Sequence, residues 1–148
     1  MPGLAVEVVE TGAEKAALHL RAVGARGADV MPLIPAIREI VVASEERIFA
    51  SHGPGWPALA DSTLANRASL GQGSDPEVAT GALRQGLTSG LEVKAATPQA
   101  VKFGTSVPYA RFQEGTKHQP KRQLMNLTIV ERRAVSKLIS AYVRGLHL

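Results

Sequence analysis

The segment Thr128-Ile129-Val130-Glu131, continued as RRAVSKLISAYVRGL to Leu146, carries the strongest structural signal in this chain of 148 residues. A Thr three positions before a Glu is a capping box: the Thr oxygen and the Glu carboxylate each satisfy a backbone N–H that the first helical turn leaves unpaired. Behind it Val130, Ala134, Val135, Leu138, Ile139, Tyr142 and Leu146 recur on one helical face, with Arg132, Arg133, Lys137 and Arg144 elsewhere. That pattern predicts an amphipathic helix laid on a core, with its charged side left over.

Upstream, Thr116 to Arg122 is polar and basic, and Pro108 to Gly115 reads as a single helical turn closed by glycine. Leu91–Ala96 and Gln99–Gly104 alternate on either side of Thr97-Pro98, as a hairpin does. Gly81 to Leu87 predicts a short helix, with Leu83 and Leu87 one turn apart. Ile37, Ile40, Val41, Ser44 and Ile48 form the stripe of a second long helix ending near Phe49 or Ala50, whose opposite face is expected to hold Arg38, Glu45 and Glu46 in solvent. Between these two helices, His52-Gly53-Pro54-Gly55-Trp56-Pro57 must be loop, and residues 52–80 read as an extended connection with one helical turn near Ser62 to Ala68. At the front, Leu4 to Glu10 predicts a strand, and Ala13 to Val23 a short helix with Ala16, Ala17 and Leu20 on one face, closed by Gly24 and Gly27. The expectation is one α+β domain over residues 1–148.

Composition narrows the function classes. Apolar residues make up 45% and aromatics only 4%, so the core must be aliphatic. The longest uncharged run, Ile48 to Ala60, is 13 residues and is interrupted by Gly53, Pro54 and Gly55. A membrane helix needs about 18 or more apolar residues, so no membrane partner is expected. Without cysteine there is no disulfide, thiolate zinc site or Cys nucleophile. The Met-Pro-Gly-Leu start has no basic segment leading into an apolar run, so no secretory signal is expected. The net charge of +4 is unevenly spread: residues 1–61 hold five Lys/Arg against eight Asp/Glu, residues 62–148 twelve against five. An acidic front and a basic remainder suit either nucleic acid or one subunit's acidic face against another's basic face.

The inventory for catalysis is thin. His19, His52, His118 and His147 are scattered, with no metal-ligand spacing, and there is no nucleophile elbow, phosphate-binding loop or dinucleotide fingerprint. No enzyme activity, cofactor or metal is expected. What remains are candidate interaction residues. Glu45 and Glu46 read as a solvated face or an acidic contact patch. Arg111, Lys117, Lys121 and Arg122, with Arg132 and Arg133, read as a solvated face, a subunit contact or a DNA contact. Trp56, in its proline-framed loop, either anchors that loop on the chain's own core or anchors an interface.

Four blocks follow one another in the chain: Arg47-Ile48-Phe49 with Gly53-Pro54-Gly55-Trp56-Pro57-Ala58-Leu59 and Ser62-Thr63-Leu64; Thr80-Gly81-Ala82-Leu83-Arg84; Val101 to Thr105 with Pro108-Tyr109-Ala110, Phe112-Gln113 and Gly115; and Pro120 to Thr128 with Glu131. In this order they resemble the phage virion morphogenesis family, the tail-completion proteins of Mu-like and related tailed phages. Gln123 stands where that family often has an apolar or small residue. The resemblance implies a small antiparallel or mixed sheet of three to four strands packed by two long helices. It further implies a non-catalytic virion protein of the neck or tail, assembled in the host cytoplasm as a homo-oligomeric ring, a hexamer being the expected number. Its partners would be other neck and tail proteins such as an adaptor, stopper, tail terminator or tail tube, with non-specific contact to DNA in the lumen. The alternative is a basic DNA-binding accessory protein.

Overall fold

The computed structural model describes residues 11–53, 55–74, 81–118 and 120–146; the expected strand over Leu4 to Glu10 lies outside them. Within them the chain is α+β. Its elements are α1 (Thr11–Ala28), α2 (Ile34–Ala50), α3 (Asp61–Ser69), α4 (Ala82–Leu87), the strands β1 (Glu92–Thr97) and β2 (Ala100–Gly104), and α5 (Ile129–Arg144), with 3-10 helices at Met31–Leu33 and Pro108–Glu114.

α2 is the hub. Pro35 is tolerated in its first turn because the N–H it lacks would have no intrahelical acceptor there. Leu33, Ile37, Val41, Ile48 and Phe49 are buried with Leu83 and Leu87 of α4, Leu91 and Leu124. α5 closes the other side with Val135, Leu138, Ile139 and Tyr142, all only half-buried. Arg38 does not point into solvent as expected. Its Nε donates to the Leu91 carbonyl at 3.0 Å and its Nη2 to that of Ser89 at 2.9 Å, tying α2 to the turn that ends α4.

α2 ends in a Schellman motif: His52 N–H donates to Phe49 O at 3.2 Å and Gly53 N–H to Ile48 O at 2.9 Å. The left-handed position is His52 (φ 55°), and Gly53 follows at φ 79° with the Trp56 ring where a Cβ would stand.

Three expectations are corrected. α1 runs through Gly24 and Gly27 to Ala28, because neither glycine is left-handed and Arg26 Nε fastens the last turn to the Val143 carbonyl of α5 at 3.0 Å. Its proposed apolar face, Ala16, Ala17 and Leu20, is exposed. The 52–80 connection holds a nine-residue helix, α3, where one turn was expected. The sheet has two strands among the described residues, and three long helices accompany it.

The hairpin itself stands where alternation put it, antiparallel, with Val93 opposite Phe103 and Thr97 opposite Ala100 across Pro98-Gln99. A bulge at Lys94 breaks the register between Val93 and Ala95. Every residue of β1 is exposed.

Candidate functional site

The proposed interaction residues separate into two groups, those that hold the fold together and those that face outward.

The capping box forms as read: Thr128 Oγ1 accepts from Glu131 N–H at 3.3 Å, and Glu131 Oε2 accepts from Thr128 N–H at 2.6 Å. The same carboxylate also receives Arg47 of α2, Nε to Oε1 at 3.1 Å and Nη2 to Oε2 at 3.3 Å. Partial desolvation pushes the Glu131 carboxyl up. Together, the Thr128 backbone N–H, Arg47, and the Thr128 and Ser44 hydroxyls outweigh that and hold it at about 2. This junction bounds a cavity of about 290 Å³ lined by Arg47, Ile48, Gln123, Asn126 and Thr128.

Beside it, Glu45 is fully buried, as is Ser44, and neither carboxylate oxygen of Glu45 has a hydrogen-bond partner among the described residues. This overturns its placement on a solvated face. Glu45 follows Val41 by four residues and precedes Ile48 by three, which puts it on the edge of the apolar stripe. Met125, in a left-handed conformation (φ 55°), belongs to the segment laid over it. Burial pushes the Glu45 carboxyl up to about 7; the Met125 amide, near but outside hydrogen-bond geometry, and Arg47 offset this only in part, and Glu131 adds to it. The site therefore holds a proton near neutrality.

Two further residues are structural. Trp56 is half-buried, edge-on to Phe49 with ring centroids 6.1 Å apart, and its Nε1 donates to the Gln123 carbonyl at 3.3 Å. It anchors its loop on the chain's own core, the first of its two readings. Arg122 is buried rather than offered to a partner. Its Nη2 donates to the Pro57 carbonyl at 3.2 Å and its N–H to that of Gln113 at 2.8 Å, so it straps three loops together.

Glu46, Arg111, Lys117, Lys121, Arg132 and Arg133 are exposed. The Arg111 guanidinium stacks 4.7 Å from the Phe112 ring centroid, and Tyr109 and Phe112 are themselves about two-fifths exposed. Arg132 Nε turns back to the Leu127 carbonyl at 3.1 Å. Arg133 lies in a shallow groove of about 450 Å³ along α5 with Lys137 and Arg144, two cations the sequence reading did not single out. Arg38 and Arg47 were missed as well. Their partners lie 53 and 84 residues away, and no local pattern announces such pairs.

Among the described residues no group of acidic and histidine side chains could hold a metal, and no helix is long and apolar enough to cross a membrane. The chain matches no family model, no curated protein and no solved structure.

Proposed function

We infer that the chain is a structural subunit of a tailed-phage particle: a ring-forming tail-completion or head–tail connector component, assembled in the host cytoplasm and carried in the neck or tail. The order of the four sequence blocks supports this. The structural observation that carries it is the unfinished packing of the lone chain. β1 buries nothing, α5 has no buried residue, and Ile129, Val130 and Leu146 stand 65%, 69% and 58% exposed. A two-stranded hairpin is marginal by itself in water and needs further strands or a packed partner for stability. The three- or four-stranded sheet of the resemblance belongs to this proposal, with the hairpin's open edges taking further strands from a neighbouring copy.

The Tyr109–Arg111–Phe112 surface, with Lys117 and Lys121 following it, is the remaining candidate for contact with other neck and tail proteins, since exposed aromatic and Arg side chains concentrate binding energy. The same surface sustains the alternative, a basic DNA-binding protein, because aromatic faces and cations are what single strands stack on and pair with. Light scattering of the purified chain after gel filtration separates the two. A defined oligomer without a low-salt gel shift supports the structural subunit, and a monomer that shifts DNA at low salt supports the alternative.

A further inference from the structure

Two stripes of opposite charge run along the outer surfaces of α2 and α5. On α2 the positions pointing directly away from the core are Glu39, Ala43, Glu46 and Ala50, all exposed. On α5 the positions opposite its half-buried face are Arg133, Lys137, Ser140 and Arg144, which are exposed and edge the 450 Å³ groove. Neither stripe has an ion-pair partner among the described residues, where Arg47 pairs with Glu131 and Lys94 with Glu92. The two acids are seven residues apart, and so are Lys137 and Arg144. At 1.5 Å per residue both spacings are about 10.5 Å, so two acids meet two cations in register. Ala43 and Ala50 between and beyond the acids, and Ser140 and Ala141 beside the cations, let two helix backbones approach closely.

We propose that the acidic outer stripe of α2 in one copy docks into the cationic groove of α5 in the next, antiparallel, with Glu46 against Lys137 and Glu39 against Arg144. The antiparallel sense also opposes the helix dipoles favourably. The occupant is a second copy of this chain because it carries the complementary charges at the matching interval. The groove's Ala141 floor and the alkyl stems of its cations suit a helix with alanines. The two faces differ, so the contact is heterologous and repeats from copy to copy, giving a closed ring or an open filament. The inference rests on the structural-subunit reading only for closure into a ring.

Sedimentation velocity of the full chain at low ionic strength tests it with three variants: E39R/E46R, K137E/R144E, and all four changes in one chain. All positions are exposed, and unchanged far-ultraviolet circular dichroism confirms folding. The expected result is self-association of the wild type, at least a tenfold loss in each double variant, and recovery in the fourfold variant and in a mixture of the two doubles. Raised salt should weaken every associating form. Wild-type association that survives both double variants unchanged overturns the proposed contact while leaving the ring reading intact. A wild type that stays monomeric at every concentration overturns both. Loss of low-salt DNA binding in K137E/R144E with association unaltered assigns the groove to nucleic acid and also overturns it.

Discussion

Arg47 grips both oxygens of Glu131, at 3.1 and 3.3 Å, while the same carboxylate closes the N-terminus of α5. One side chain thus joins the central helix to the helix that completes the core, and sets where α5 starts.

Glu131→Ala removes that junction. Loss of the cap costs about 1 kcal/mol, and the pair, whose Arg47 side is two-fifths exposed, adds only a few tenths. Urea titration is expected to show a loss of about 1–2 kcal/mol; an unchanged midpoint would contradict the assignment. The folded carboxyl sits at about 2 against an ordinary 4.5, so its contribution is present above about pH 4.5 and is lost as pH falls toward 2.

Glu45 has the opposite sign. Its folded value is raised from 4.5 to about 7, so its contribution is whole below about pH 4.5 and disappears as pH rises through 7. Glu45→Gln keeps the shape without the ionisation. It is expected to match the wild type near pH 4.5 and to exceed it by about 1–3 kcal/mol at pH 8. Parallel stability curves for the two proteins across that range would refute a buried, proton-holding Glu45.

Gly53→Ala meets two obstacles at once, a φ of 79° and the Trp56 ring. A loss of about 2 kcal/mol or more is expected, with a shift in Trp56 fluorescence as the ring is displaced. A fully stable G53A protein with unaltered emission would show that the Trp56 loop is not packed as described.

Arg38→Met retains the aliphatic stem and deletes the bonds to the Leu91 and Ser89 carbonyls. Hydrogen bonds to a charged donor are worth about 1.5–3 kcal/mol. Hydrogen exchange should therefore speed up at the α4 turn, residues 88–91, before it does in α5; uniform protection would argue against the tie.

Local chemistry was readable where it was self-contained. The capping box needs only Thr128 and Glu131, and the hairpin needs only alternation around Pro98, so both stand where the sequence places them. Long-range contacts decided the rest. Gly24 and Gly27 read as a stop, but a glycine inside a helix costs only about 1 kcal/mol, which Arg26's bond to α5 helps to offset. α3 has little apolar periodicity because it buries none of its residues, so hydrophobic patterning had nothing to report. Glu45 was assigned by charge rather than by its place on the helical wheel, where it belongs to the buried stripe. Of the proposed interaction residues, Glu46, Arg111, Lys117, Lys121, Arg132 and Arg133 are exposed, whereas Trp56 and Arg122 are occupied within the fold.

The proposed role would place this chain in a phage particle at the junction of head and tail. Immunogold electron microscopy of purified particles, with antibody raised against the full chain, addresses it directly. Label confined to the neck or upper tail of each particle is the expected result; particles without label, alongside free protein in the lysate that carries it, would contradict the proposed role.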